Sequence, residues 1–158
     1  MVRFESFGEA NLLCDCLGEE TLVAIFRTYN AIVKDFNRLF ARFGLTEPQF
    51  NILVLLAKRE NEGMVLSEIG RKMLVTRADV TGLIDRLERN GMLTRNSQPH
   101  DRRAKLAMIT EKGLGMLRRV VPLHCDKINR VTAVLDGQEK RTLLNGLAKV
   151  NQGLVNGR

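Results

Sequence analysis

The chain has 158 residues, 44% hydrophobic and 27% charged, a balance that suits one globular domain or at most two. No apolar run approaches the roughly 18 residues that span a bilayer, and residues Met1 to Gly8 lack the basic-then-apolar order of a signal peptide. Three cysteines do not make a disulfide framework, so a reducing cytoplasm is the expected setting.

The net charge of +7 is unevenly placed: residues 1–63 hold 7 basic against 9 acidic side chains, residues 64–119 hold 12 against 6, and residues 120–158 hold 6 against 3. A basic middle between weakly charged ends suits a polyanion, and nucleic acid is the usual one. A solvated surface with uneven charge accounts for the same numbers.

Leu22, Ile25, Tyr29, Ile32, Phe36, Leu39 and Phe43 recur at alternating spacings of three and four. They predict a long helix from residue 19, widened by Phe26, Val33 and Phe40 and stopped at Gly44. So much apolar surface needs other helices against it, from this chain or a partner. Thr46-Glu47-Pro48-Gln49 reads as a capping box, and it opens a second helix so apolar (Phe50, Ile52 to Leu56) that burial on most sides is expected. Residues 60–63 read as a polar turn.

Leu66 to Met73 predicts a short helix with Ser67 as its cap. Thr76-Arg77-Ala78-Asp79 is a second capping box. The helix it opens buries Val80, Leu83, Ile84 and Leu87, and Asn90-Gly91 ends it. Two short helices across a tight turn make a helix-turn-helix. The period then changes. Met92 to Arg95 reads as a strand, Asn96 to Asp101 as a turn-rich loop and Ala104 to Ile109 as a second strand, which together form a β-hairpin wing. Thr110 caps a further long helix through Leu114, Leu117, Val121, His124, Ile128, Val131 and Leu135, with Pro122 expected to kink or interrupt it. Asp136-Gly137-Gln138-Glu139 is a third capping box. The helix behind it turns Leu143, Leu144, Leu147, Asn151 and Leu154 toward a core.

A helix that enters the major groove needs short or polar residues outward near its start. The helix from Thr76 offers Thr76, Arg77, Ala78, Thr81, Gly82, Asp85 and Arg86. Arg77 can fork to a guanine edge or a phosphate, Thr76 and Thr81 can reach phosphates or a thymine methyl, and Ala78 and Gly82 permit close approach. In the wing, Pro99-His100-Asp101-Arg102-Arg103 sets two arginines at a hairpin tip, suited to a narrow minor groove. Asp101 cannot contact phosphate; it pairs with an arginine to hold the wing, or simply forms the turn. His100 faces phosphate or solvent.

From Leu45 to Thr110 the chain resembles the MarR family of bacterial regulators. The likeness rests on residues 44–50 (GLTEPQF), 66–70 (LSEIG), 80–88 (VTGLIDRLE), 91–93 (GML), Asp101-Arg102-Arg103, Leu106 and residues 109–113 (ITEKG). The resemblance implies a mostly α fold with a small β-hairpin wing: a winged helix-turn-helix lobe (residues 45–110) between dimerisation helices (19–44 and 111–158), after an extension (1–18). It implies a homodimer that binds an inverted-repeat operator in double-stranded DNA as a transcriptional repressor. By resemblance Asp101 braces the wing and Arg103 enters the minor groove, while Ser67, Thr76, Arg77, Ala78, Thr81, Gly82, Arg86, His100 and Arg102 complete the DNA-facing set. Many members release DNA when a small aromatic or phenolic ligand binds.

Cys14 and Cys16 lie in the extension and Cys125 beside His124. The subgroup that senses peroxide through a cysteine inside the first helix has it where this chain has Leu22, Val23 and Ala24. A redox pair among Cys14, Cys16 and Cys125 is the alternative to plain packing, and no metal is expected from this spacing. His124 reads as a packed histidine or a ligand-pocket residue. Without a glycine-rich phosphate loop or a Ser/His/Asp series, and with two histidines in all, the chain is expected to be no enzyme and to need no cofactor. A winged-helix module that binds protein is the other alternative to a DNA regulator. No membrane partner is expected.

Overall fold

The first helix starts ahead of the apolar pattern that announces it. In the computed structural model, which describes residues 16–60, 62–73, 77–97 and 105–156, α1 runs Cys16–Ala41. It stops as expected: Phe43 N–H donates to Phe40 O at 2.9 Å, Leu45 N–H to the same carbonyl at 3.1 Å, and Gly44 takes φ +66°. Helix α2 spans Glu47–Ala57 behind a complete capping box. In it, Thr46 N–H donates to Gln49 Oε1 at 2.9 Å and Gln49 N–H to Thr46 Oγ1 at 3.4 Å.

A two-residue strand follows that the sequence did not announce. β1, Met64–Val65, runs straight into α3, Leu66–Met73. Ser67 is therefore the second helical residue, not the cap: the position ahead of α3 belongs to Val65, whose backbone is already committed to a strand. Helix α4, Arg77–Arg89, turns off at Asn90 and Gly91. β2, Leu93–Ser97, and β3, Lys105–Ile109, form the hairpin. Asn96 and Ser97, expected in the loop, instead pair with Leu106 and Lys105, because the ladder that begins at Leu93↔Ile109 is continued by every further residue that finds a partner. The sheet order is β1-β3-β2, antiparallel throughout, with Met64 opposite Ala107. A mostly helical chain with a small antiparallel sheet is the fold class that the sequence predicts.

α5 spans Glu111–Thr132 and carries Pro122 without interruption. Pro122 gives up its own N–H bond and crowds the carbonyl of Arg118, but its fixed φ is helical and the turns on either side continue the helix past it. α6 spans Gly137–Asn156. Its capping box is complete: Asp136 Oδ1 accepts from the amides of Gln138 and Glu139 at 2.7 and 2.8 Å, and Glu139 Oε2 accepts from Asp136 N–H at 2.8 Å.

The chain divides into two compact units, residues 1–120 and 121–158. The first is built on a buried cluster that takes Phe40 from α1, Phe50, Ile52, Leu53 and Leu56 from α2, Ile69 from α3, Val80, Ile84 and Leu87 from α4, Leu93, Ala107 and Ile109 from the sheet, and Leu117 and Val120 from α5. Phe40 and Phe50 stack obliquely, ring centres 4.8 Å apart. The second unit has no such centre. No residue of α6 is buried. Leu143, Leu144, Leu147 and Leu154, expected to face a core, remain exposed, because a single pair of helices has no third element to cover its apolar side.

Candidate nucleic-acid interface

Helix α4 has two sharply different sides. Val80, Ile84 and Leu87 lie at 1%, 0% and 0% exposure, and Leu83 is half-buried beside them. Asp79, Thr81, Gly82, Arg86 and Arg89 are exposed. The i, i+4, i+7 spacing of the apolar residues fixes which side the lobe takes, and everything else on the helix is turned out by default. Gly82 is distinctive among these. A β-carbon placed on it would meet nothing within 4 Å. A mid-helix glycine costs about 1 kcal/mol relative to alanine, and among the described residues no contact requires it.

Arg95 ties the hairpin to α4. Arg95, in β2, sends Nη1 to Asp85 Oδ1 at 2.6 Å and Nε to Glu88 Oε2 at 2.8 Å, with Nη2 also on Glu88 Oε2. Its backbone N–H donates to Glu88 Oε1 at 3.1 Å. Hydrogen bonding to Glu88, reinforced by the charges of Glu88 and Asp85, lifts the guanidinium above its ordinary pKa against the opposing effect of burial. Asp85, one of the outward residues of the sequence reading, is thus occupied by the fold and faces the wing. A fork that grips two carboxylates one helical turn apart is a job for arginine rather than lysine. Arg95→Ala leaves Asp85 and Glu88 without their shared cation. The expected loss is about 2 kcal/mol, or a fall of about 4–8 °C in melting temperature, with Arg95→Lys recovering only part; thermal unfolding checks both. A second, looser brace joins Arg59 to Glu68 of α3, Nη2 to Oε1 at 3.4 Å.

The predicted contact residues fall into three groups. Thr81, Gly82 and Arg86 share the exposed side of α4, and Ser67 is exposed on α3. Arg77 and Ala78 open α4, but their side chains are not among those described. Thr76, His100, Asp101, Arg102 and Arg103 lie outside the described residues, as does Cys14. Cys16 is the first residue of α1, Cys125 is exposed on α5, and His124 is half-buried. The clamp at Arg95 escaped the sequence reading. Its only advance signal was Asp85 and Glu88 spaced three apart on the helix that precedes a strand arginine.

Residues 45–105 match the model of the MarR family. Over 128 residues, 81% of this chain and 87% of the other, the chain is 32% identical to the HTH-type transcriptional regulator MhqR of Bacillus subtilis. The chain belongs to the MarR family. Its fold is that of solved MarR structures. AbsC of Streptomyces coelicolor superposes with a TM-score of 0.84 at 22% identity, covering 94% of this chain and all of that one. A second MarR regulator from the same organism, solved in complex with DNA, superposes at 0.83 with 24% identity over 89% of this chain and 93% of its own. As in the family, the function is transcriptional regulation. Among the described residues no helix is long and apolar enough to cross a membrane, and no group of three or more His, Cys, Asp or Glu side chains gathers as a metal site would.

Proposed function

We propose that this MarR protein regulates transcription by binding an inverted repeat in double-stranded DNA as a homodimer, with α4 in the major groove and the wing in the adjacent minor groove. The observation that carries the reading is the outward side of α4. Thr81, Gly82 and Arg86 stand exposed on a helix whose other side is anchored in the core, and Gly82 keeps a bare backbone that none of the described residues uses. A helix with a close-approach point flanked by a hydroxyl and a guanidinium suits base edges and phosphates together. A MarR regulator of the same fold, solved in complex with DNA, supports DNA as the partner.

Ser67, Thr76, Arg77, Ala78, His100 and Arg102 complete the proposed contact set, with Arg103 as the minor-groove residue and Asp101 as its brace. In the dimer, residues 19–44 and 111–158 supply the interface, and two α4 helices about 34 Å apart match one turn of DNA. The working reading is a binding protein of the cytoplasm rather than an enzyme, released from DNA by a small aromatic or phenolic ligand.

The test compares single variants on a duplex selected by the protein from a random pool and on random duplex, at one fixed salt concentration. Arg103→Ala is expected to weaken both alike and to flatten the salt dependence by about one unit of slope. Arg77→Ala and Thr81→Ala are expected to cost about 1–3 kcal/mol on the selected duplex and less on random DNA, since base-edge contacts are the ones that discriminate. Loss of the specificity ratio in Arg103→Ala alone, with Arg77→Ala and Thr81→Ala normal, reverses the assignment of reader and clamp. No retention of the wild-type protein on any duplex at low salt discards the reading.

A further inference from the structure

The start of α5 is joined to the turn that closes α4 by three hydrogen bonds of one residue. Thr110 Oγ1 donates to Gly91 O at 2.7 Å and accepts from Gly113 N–H at 3.2 Å. Thr110 N–H donates to Met92 O at 3.1 Å. The two carbonyls belong to residues whose own amides close α4: Gly91 N–H donates to Glu88 O at 2.8 Å and Met92 N–H to Leu87 O at 2.9 Å. Thr110 O in turn accepts from Leu114 N–H at 2.9 Å, the first bond of α5. One residue therefore ties the end of one helix to the start of another, 19 positions apart in sequence.

Gly113 makes the fit tight. It is buried, and a β-carbon on it would lie 2.2 Å from Met92 O and 2.7 Å from Ile109 Cγ1. Backbone meets backbone here, so neither side can give by turning a side chain. An ordinary helix cap needs only to accept from an amide of its own helix. Thr110 does that with Gly113, and its hydroxyl proton is spent on the turn that closes α4.

We infer that Thr110 and Gly113 form a rigid joint that makes α4 turn with the first half of α5, so that Thr110 is a positioning residue for DNA recognition. The inference rests on the proposed docking of α4, and the joint itself can be measured without DNA. A tilt of α5 in this lobe carries Gly91 and Met92 with it, and with them the C-terminal end of α4, which is also held by its buried Val80, Ile84 and Leu87 and by the Arg95 fork. Specific binding, which needs base edges in register, then depends on the joint, whereas phosphate binding does not.

The experiment uses the full-length protein as Thr110→Val, which keeps the shape and removes both hydroxyl bonds, and Thr110→Ser, which keeps both. Hydrogen exchange is read at the amides of Asn90, Gly91 and Met92, with Ile52, Leu53 and Leu56 of α2 as controls. Affinity is read on the duplex selected by wild-type protein and on random duplex. In Thr110→Val the three α4-end amides are expected to exchange about tenfold faster, the size that loss of one well-formed cap carries. The α2 controls stay protected, and the ratio of selected to random affinity falls by about the same factor. Thr110→Ser behaves as wild type. Acceleration confined to Gly113 and Leu114, or spread evenly through the α2 controls, makes Thr110 a plain cap and overturns the joint. A disturbed α4 end with an unchanged affinity ratio overturns the positioning role. If wild-type protein binds no duplex, the proposed function fails, and the exchange pattern alone still decides whether the joint exists.

Discussion

A protein carrying Leu144→Glu and Leu147→Glu is expected to sediment as a monomer of 17.9 kDa, and the wild-type protein at about twice that mass. The two leucines are 65% and 40% exposed, three residues apart on one side of a helix that buries nothing in its own unit. Val150, Leu154 and Val155 extend the exposed apolar surface of α6, and Val121, Ile128 and Val131 leave a similar one on α5. A lone chain gains nothing from this pattern; a second copy that covers it recovers about 25 cal/mol for each Å² removed from water. Two carboxylates placed there must be desolvated without partners, a cost of several kcal/mol. Folding of the first unit is expected to be untouched. A monomer reaches one half-site at a time, so binding to the selected duplex falls by about 10²–10⁴ with no base contact altered. Sedimentation and a binding titration on the same samples check both outcomes. A double variant that remains dimeric places the interface elsewhere.

Phe40→Ala is expected to destabilise the protein by about 3–5 kcal/mol, which lowers the melting temperature by about 10–15 °C. Phe26→Ala on the same helix is expected to leave the isolated fold nearly unchanged. Both residues belong to the apolar face of α1, yet Phe40 is 0% exposed between Phe36 and Phe50, and Phe26 is 64% exposed. Removing Phe40 opens a ring-sized cavity where α1 enters the lobe, and its rigid surroundings can only partly collapse. Removing Phe26 takes away surface that the described residues leave exposed, so with a partner on it the effect belongs to the concentration dependence of unfolding rather than to the first unit's own stability. Equal losses in the two variants at all concentrations refute the division of α1 into an anchored end and a free length.

What the sequence determined by itself is whatever depends on neighbours a few residues away. The capping boxes at Thr46 and Asp136, the stop at Gly44 and the buried stripe of Val80, Ile84 and Leu87 are contacts between i and i+3, i+4 or i+7, and spacing alone reveals them. The motifs from Leu45 to Thr110 carried the family by resemblance. Tertiary structure decided the rest. β1 is two residues long, too short for a period, and exists because Met64 and Val65 find Ala107 and Leu106 across the sheet. That pairing took the cap position away from Ser67. Asp85 read as an outward polar residue until Arg95, ten positions on, closed over it. Thr110 showed itself as a cap, but its second bond runs 19 residues back to Gly91. The leucines of α6 announced that they must be covered and could not say by what, because a periodic apolar stripe records a need for burial and not the identity of the surface that meets it.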